Sequence, residues 1–361
     1  MDEYKCLLVL LKAIVAGDID RKYSNTEMTY ETWHTLLDVA KHQGLVSVLL
    51  DAISQLECKP PQRILLQWIG CSLVSENIYY AHLSTICELA DFYRRHNIKM
   101  MLLKGYGLSL NYPTPNNRPP GDVDIYLYGD GGKADELMFH ELGIISKQNE
   151  EKHSVFTFNG VTVENHSCLI NNITHPSVKT LEKFFEADSQ NAIPIENVST
   201  EASGFYIPSV TTNVLYLPYH MAEHFVHGDA SLRQLLDWAM FVKRYTKQIC
   251  WEDVEERVKQ AGFIKFYSCI NGLCMDFLGM DASYFPKWKR NRCIESRVLN
   301  EILSHSGPSD KDLYKKIIRF FKNYWKYRLV YNENIIISAI RQARAYALVK
   351  WNVGSTIWKK K

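Results

Sequence analysis

Gly121-Asp-Val-Asp-Ile125 is the most informative segment of this chain. In an extended strand, residues two apart point to the same face, so Asp122 and Asp124 project together while Val123 and Ile125 enter the core. Two neighbouring carboxylates repel each other, and a divalent cation between them offsets that repulsion. Oxygen-only ligands suit Mg²⁺ or Mn²⁺. The pattern predicts a strand that carries a metal site, with two chance acids on a solvated strand edge as the alternative.

The neighbouring segments predict a small sheet around this stretch. Lys99–Leu103 has the apolar run of a buried strand. Residues 153–158 and 161–168 pair naturally across Asn159-Gly160, a strong signal for a two-residue hairpin turn. Glu164 lies in the second arm of that hairpin, where a third carboxylate can share the face of the two aspartates. An exposed strand glutamate is the alternative for this position.

Helical periodicity dominates the chain on both sides of the sheet. Apolar residues recur at helical spacing through the first 95 residues and again from about residue 178 onward. The sequence therefore predicts an α+β fold in which a small mixed β-sheet core is flanked by N-terminal and C-terminal helical regions. We place these parts at residues 1–95, 96–210 and 211–361.

The charge of the chain is unevenly distributed. The formal net charge is only +2, from 42 Lys+Arg and 40 Asp+Glu. Residues 281–361, however, carry 18 of those basic residues and 6 of the acidic ones, a net +12, so the rest of the chain is acidic. Aromatic residues alternate with the basic ones here, a mixture that holds single-stranded nucleic acid in many proteins. Solvated faces of amphipathic helices and a membrane-surface helix are the alternatives.

Composition excludes several classes of protein. Hydrophobic residues make up 46% and charged residues 23% of the chain, which excludes wholesale disorder. The nine cysteines are scattered and odd in number, as expected for free thiols in a reducing compartment. No apolar run reaches the roughly 18 residues of a transmembrane helix, and acidic residues precede the first apolar run, unlike a signal peptide. We therefore expect a cytoplasmic protein.

Several short motifs together resemble a known superfamily. They are Lys104-Gly105, Tyr112-Pro113, Arg118, Asp122-Val-Asp-Ile125 and Val163-Glu-Asn-His166. This combination resembles the polymerase-beta-like nucleotidyltransferases, and within them a bacterial family of uncharacterised nucleotidyltransferases, over roughly residues 96–245. One position departs from the superfamily pattern. Its Gly-Ser turn reads Lys104-Gly105-Tyr106 here, so the serine that would hold the terminal phosphates is absent.

The resemblance implies an enzyme. It would depend on Mg²⁺ or Mn²⁺ and would move a nucleoside monophosphate from an NTP such as ATP to an acceptor hydroxyl, with release of pyrophosphate. The acceptor would be a small molecule, a protein side chain or an RNA end. The implied catalytic residues and metal ligands are Asp122, Asp124 and Glu164. Glu164 would complete the metal site or serve as the base for the acceptor hydroxyl. The implied nucleotide-binding residues are Lys104, Gly105 and Arg118, of which Arg118 could equally be a loop arginine in water.

The missing serine leaves a second class of function open. This alternative is a catalytically silent module that binds a nucleotide or regulates a partner, and that binds nucleic acid through its basic C-terminal helices. His166, two residues after Glu164 on the same strand face, is expected to line the pocket or to support the residues that do.

The helix predicted over residues 211–227 carries a further group of candidates. Its histidines are spaced so that they could bind zinc or fill the core, and they are His220, His224 and His227. The metalloprotease pattern H-E-x-x-H is absent. On the next predicted helix, Arg233 and Asp237 are four residues apart, which favours a helix-surface or interdomain ion pair. A role at the edge of the active site is the alternative for both.

Overall fold

The computed structural model describes residues 3–18, 28–149, 153–170, 175–195, 204–304, 313–334, 336–337 and 339–341, of which 176–177 and 313–320 are described by their backbone alone. Most of the helix predicted over 334–350 and all of the basic tail Trp358-Lys-Lys-Lys lie outside these residues.

A seven-stranded sheet forms the centre of the described part of the chain. Its strands are β1 (Met101–Leu102), β2 (Val123–Tyr126), β3 (Lys147–Asn149), β4 (His153–Phe158), β5 (Val161–His166), β6 (Ile193–Ile195) and β7 (Phe205–Ile207). Their spatial order is β3-β4-β5-β2-β1-β7-β6. The sheet is mixed, because β2 runs parallel to β5 and β1 parallel to β7, while the other neighbours are antiparallel. The predicted α+β fold with a small mixed sheet is confirmed.

Helices surround the sheet in the order that the periodicity predicts. Before it lie α1 (Glu3–Ala16), α2 (Tyr30–Gln43), α3 (Val46–Gln55) and α4 (Gln62–Arg95). Within it lie α5 (Tyr106–Ser109), α6 (Gly131–Leu142) and α7 (Pro176–Asp188). After it come α8 (Val210–His227), α9 (Leu232–Tyr245), α10 (Trp251–Gln260), α11 (Ile264–Asp276), α12 (Arg292–Ser304) and α13 (Leu313–Tyr331).

The β4–β5 hairpin fixes the register of one half of the sheet. Asn159 and Gly160 both have positive φ, at 50° and 77°, as a two-residue hairpin turn of the primed type requires. Phe158 therefore pairs with Val161, and the same register places His153 opposite His166 five pairs further along. The turn predicted from Asn-Gly thus determines which side chains meet at the other end of the hairpin.

The two faces of the sheet belong to two hydrophobic clusters. Val123, Ile125 and Val163 pack with the C-terminal half of α4 and with α6. Met101 and Leu103 point the other way, into a larger cluster that includes residues of α8 and α9. Because side chains alternate along a strand, Asp122 and Asp124 face the α8 side of the sheet.

The larger cluster joins helices from both ends of the described chain. It contains buried residues of α1 to α4 as well as residues of α8 to α13. The division of the chain at residues 95 and 210 remains a prediction of domain organisation. In the described residues, no helix combines the length and the apolar character needed to cross a bilayer.

Candidate active site

Three carboxylates meet on one face of the sheet. Asp124 in β2 pairs in register with Glu164 in the parallel neighbour β5, so their side chains project side by side. Asp122 lies just before β2, two residues from Asp124, and shares that face. Burial raises the pKa of Asp122 above its usual range, and the negative charges of Glu164 and Asp124 raise it further. The structure thus brings together the three acids that the sequence singles out.

Asp124 is the most enclosed of the three acids, with 5% of its surface exposed. Its Oδ1 lies 2.9 Å from Lys104 Nζ and 2.9 Å from His166 Nε2. Burial acts to raise the pKa of Asp124, but the Lys104 ammonium and the hydrogen bond from His166 hold it well below its usual range. Asp124 is therefore a fixed negative charge whose partners are already in place.

Glu164 stands in a more open position, with 24% of its side chain exposed. A hydrogen bond with His166 is the main reason why the pKa of Glu164 lies below its usual range, although burial opposes the shift. His166 Nε2 lies 3.5 Å from Glu164 Oε2, and His153 Nε2 lies 3.8 Å from the same oxygen. An imidazole thus flanks this carboxylate on either side.

Lys104 connects the acids to the histidine-bearing helix α8. Its Nζ lies 2.9 Å from His220 Nε2, which is 3.1 Å from His224 Nε2. His224 Nδ1 in turn lies 3.0 Å from a carboxylate oxygen of Asp229 near the surface. Spacing along the chain could not show the first contact, because 116 residues separate Lys104 from His220. Of the three histidines that the sequence left open as core residues or zinc ligands, His220 and His224 form a polar path that leads from the acids to the surface. His227 Nδ1 instead donates to the backbone carbonyl of Glu223 at 2.7 Å.

Gly105 adopts a backbone conformation that other residues avoid. Its φ is 58° and its ψ is −117°, at the start of α5. The nearest heavy atom to a Cβ built at Gly105 is the carbonyl oxygen of Asp122, at 3.8 Å, so the conformation rather than the space requires glycine. This turn therefore passes directly beside the first of the three acids.

A cleft of about 310 Å³ opens next to Gly105 and Asp122. It is lined by Tyr79, His82, Ile86, Leu102, Gly105, Tyr106, Arg118, Pro120, Gly121, Asp122 and Val123. Burial lowers the pKa of His82, and the nearby Asp122 opposes that shift. The cleft thus combines aromatic walls with a carboxylate at its mouth, and neither Tyr79 nor His82 was identified from the sequence.

Arg118 is held by a buried carboxylate. Its Nε and Nη2 donate to the two oxygens of Asp237 at 2.8 and 2.9 Å, and the Tyr112 hydroxyl donates to Asp237 at 2.8 Å. Arg118 and Asp237 are 5% and 4% exposed. A phosphate-binding role for Arg118 stays a prediction, while its observed contact fixes the loop that precedes Asp122.

Arg233 faces the same loop from α9. Its Nη1 donates to the Pro119 carbonyl at 3.4 Å, and its Nη2 lies 3.9 Å from a Cβ built at Gly121. Within the described residues its buried Nε has no hydrogen-bond partner. Burial, followed by the positive charge of Arg118, lowers the pKa of Arg233. The ion pair predicted between Arg233 and Asp237 is replaced by the pair of Asp237 with Arg118.

The fold and the match to a family together define the class of protein. The structure places three carboxylates and a glycine turn side by side on an α+β fold, in the order of the motifs that resemble nucleotidyltransferases. The chain belongs to the family described as uncharacterised nucleotidyltransferase, whose model matches residues 29–279. The match extends beyond residues 96–245, where the motifs lie, and includes the helices α2 to α4. Bacterial origin and membership of the polymerase-beta-like superfamily stay predictions.

One solved structure shares a limited similarity with this chain. It is the crystal structure of an antigenic nucleotidyltransferase-like protein from Paracoccidioides brasiliensis, at 12% sequence identity and a TM-score of 0.35. The similarity covers 56% of this chain and 90% of that chain. Among curated proteins, no match to the chain was found.

Proposed function

We propose that this protein transfers a nucleoside monophosphate from an NTP to an acceptor hydroxyl, with Mg²⁺ or Mn²⁺ and with pyrophosphate as the leaving group. The observation that carries the proposal is the convergence of Asp122, Asp124 and Glu164 on one face, beside the Lys104-Gly105 turn. Membership of a nucleotidyltransferase family supports the general reaction.

The donor set fits a hard divalent cation. Asp122, Asp124 and Glu164 offer carboxylate oxygens, which Mg²⁺ and Mn²⁺ prefer. Burial, and then the negative charges of Glu164 and Asp124, raise the pKa of Asp122, which supports a site where a cation would relieve repulsion between carboxylates. When bound, the cation would neutralise the triphosphate and stabilise the charge that develops on the leaving pyrophosphate.

Glu164 suits the role of a ligand better than that of a base. Its hydrogen bond with His166 lowers its pKa, so it stays ionised at neutral pH and has little affinity for a proton. An efficient general base has a pKa near the working pH. Of the two roles that the sequence left open, the proposal therefore assigns Glu164 to the metal site.

Two cations of the chain are positioned for the phosphates. Lys104 has 19% of its side chain exposed, and its ammonium, 2.9 Å from Asp124, can bind a phosphate oxygen as a point charge. Arg233 approaches Gly121 from α9 and has an Nε without a partner among the described residues. A guanidinium can bind two phosphate oxygens at once. We therefore add Arg233 to the nucleotide-binding residues Lys104 and Gly105, with Arg118 as the residue that holds their loop.

The catalytically silent module remains the second candidate, and one contact favours it. Lys104 Nζ lies 2.9 Å from Asp124, so an internal ammonium already neutralises the carboxylate that a metal ion would use. This contact would keep the buried carboxylate neutralised, and the fold stable, without a metal ion. The absence of the turn serine also favours the silent module. In this case a nucleotide would bind beside the three acids without being hydrolysed or transferred.

Nucleic acid as the acceptor has weaker support than the sequence alone suggests. Lys326 is buried and pairs with Glu301 at 2.7 Å. Arg290 pairs with two carboxylates, and the Arg297 guanidinium lies 3.8 Å from the ring centre of Trp325. Lys326 is thus withdrawn from the surface and Arg290 is neutralised by its partners, whereas Arg297 stays exposed. Nucleic-acid binding through residues 281–361 and a cytoplasmic location remain proposals.

Pyrophosphate release distinguishes the two candidates. The full chain is incubated with each NTP, with Mg²⁺ or Mn²⁺, and with a panel of small hydroxyl compounds, proteins and RNA. Asp122→Asn and Asp124→Asn should abolish release, while Asp91→Asn, a control on the exposed surface of α4, should retain it. Nucleotide binding without pyrophosphate release from wild type, across the whole panel, would establish the silent module instead.

A further inference from the structure

Two histidines and a glutamate gather at the end of the β4–β5 hairpin. His153 and His166 are cross-strand partners, and Glu164 precedes His166 by two residues on the same face. Each of the three side chains offers one ligand atom, and these atoms lie within 4.8 Å of one another. Asp122, the outermost of the predicted metal ligands, is not part of this group.

The distances are close to those of ligands on a common metal ion. A tetrahedral site with metal–ligand distances of about 2.0–2.1 Å places its ligand atoms about 3.3 Å apart. In the structure, the nitrogens of His166 and His153 lie 3.5 and 3.8 Å from Glu164 Oε2. The third distance, between the two imidazoles, is no more than 4.8 Å, so side-chain adjustments of about 1.5 Å or less would bring all three ligand atoms to these separations.

The site is both anchored and accessible. His166 is the buried end, with 2% of its side chain exposed, and its Nε2 is oriented by Asp124 at 2.9 Å. The nitrogen that faces Glu164 is this same Nε2, so an ion would take the place of its hydrogen bond to Asp124. The buried Nδ1, which has no hydrogen-bond partner among the described residues, would then carry the ring proton. His153 and Glu164 retain 12% and 24% exposure, which gives an ion a path from solvent.

We propose that His153, Glu164 and His166 form a site for a divalent transition-metal ion, with Zn²⁺ as its preferred occupant. Imidazole nitrogens suit Zn²⁺ and its neighbours, whereas Mg²⁺ prefers oxygen. Three protein ligands with an open fourth position is the arrangement of reactive rather than purely structural zinc sites. This site shares Glu164 with the proposed magnesium site, but it requires neither nucleotide nor transfer chemistry.

A second histidine group provides the competing explanation for any zinc that binds. His220 and His224 contact each other at 3.1 Å on α8, and His224 is exposed beside Asp229. Among the described residues, however, the three ligand atoms that lie within 4.8 Å of one another are in the hairpin and not on α8. A variant of His224 therefore serves as the matched control.

The test is metal binding by the full chain without nucleotide. The protein is stripped with a chelator, and Zn²⁺ is titrated by calorimetry in the presence and absence of millimolar Mg²⁺. Co²⁺ serves as an optical probe of nitrogen ligands. We expect one Zn²⁺ per chain at this site, and at least about a tenfold weaker affinity in His153→Gln and in Glu164→Gln. His224→Gln should change the affinity by less than about twofold, and circular dichroism checks the fold of each variant.

Either of two results with the variants would overturn the proposal. One is a Zn²⁺ affinity that His153→Gln and Glu164→Gln leave unchanged, and the other is a loss of binding in His224→Gln alone. Mg²⁺ that displaces Zn²⁺ at equal concentration would also contradict the nitrogen ligands. Because no nucleotide is present, any of these results leaves the proposed nucleotidyl transfer to be judged by pyrophosphate release.

Discussion

The buried pair of Arg118 and Asp237 allows a quantitative prediction. Asp237→Asn keeps the size of the side chain and an oxygen for the Tyr112 hydroxyl, but it leaves the Arg118 guanidinium buried without a counter-ion. Removal of one partner from a buried, hydrogen-bonded ion pair costs about 3–5 kcal/mol. We expect a loss of that size in the free energy of unfolding.

The expected shift in melting temperature follows from the length of the chain. With an unfolding entropy of about 2.1 cal/mol/K per residue, 361 residues give about 760 cal/mol/K. Each kcal/mol then shifts the melting temperature by about 1.3 °C, so Asp237→Asn should melt about 4–7 °C below wild type. Differential scanning calorimetry of the metal-free protein measures this difference.

A double-mutant cycle tests the reasoning behind this number. Arg118→Met alone should also destabilise the protein, because Asp237 then loses both of its charged hydrogen bonds. The double variant should be more stable than the sum of the two single losses predicts, by about 0.5–3 kcal/mol. Arg94→Met is the control, since Arg94 forms an exposed pair with Asp91 and should cost at most about 1 kcal/mol. Two results would refute a coupled buried pair. One is a loss of stability in the single variants no larger than that of Arg94→Met, and the other is a double variant whose loss equals the sum of the two single losses.

The same variants decide the role of Arg118 toward nucleotide. If Arg118 binds phosphate directly, Arg118→Met loses NTP affinity that Asp237→Asn retains. If Arg118 only holds the loop before Asp122, both variants lose affinity in proportion to their loss of stability. Fluorescence titration with a labelled NTP analogue measures both.

Three further predictions concern the acids and the glycine turn. Because the folded state raises the pKa of Asp122, its ionised form opposes folding, so Asp122→Asn should stabilise the metal-free protein at pH 7 while Mg²⁺ no longer raises its melting temperature. For Asp124 the sign is reversed, because its lowered pKa stabilises the folded state at pH values above the pKa of about 3.9 in the unfolded chain. This contribution is progressively lost as the pH falls below about 3.9. The urea midpoint should therefore fall less in Asp124→Asn than in wild type as the pH decreases from 7 to 3. Gly105→Ala should cost about 1–3 kcal/mol because its φ is 58°, whereas Gly70→Ala, in a helix with open space around its Cβ, should stabilise by about 0.5–1 kcal/mol in chemical denaturation. An unchanged acid profile in Asp124→Asn, or equal effects of the two alanine substitutions, would contradict these assignments.

Local patterns accounted for the parts of the structure that local physics determines. The alternation in Asp122-Val-Asp-Ile125 predicted a strand with acids on one face, and Asn159-Gly160 predicted the turn and register of the hairpin. That register could also have identified His153 as the partner of His166, but His153 is not among the site residues predicted from the sequence.

The remaining features depend on contacts that no local pattern encodes. The short strands Lys147–Asn149 and Ile193–Ile195 were missed because the first lacks apolar alternation and the second contains a proline, which a sheet tolerates at its edge. Arg233, four positions away, was the wrong prediction for the partner of Asp237. The fold brings Arg118 from 119 residues away, and its guanidinium donates to Asp237 instead. The contact of Lys104 with His220 is of the same kind.

The β5 strand pairs with a different strand on each side, and each pairing aligns a different pair of side chains. Its pairing with β2 aligns Asp124 with Glu164, while its pairing with β4 aligns His153 with His166. A change of one residue in the length of the Asn159-Gly160 loop would displace His153 to the opposite face of the sheet and leave His166, Glu164 and Asp124 where they are. The length of the hairpin loop therefore determines whether an imidazole of β4 lies beside Glu164, independently of the strand that carries the aspartates.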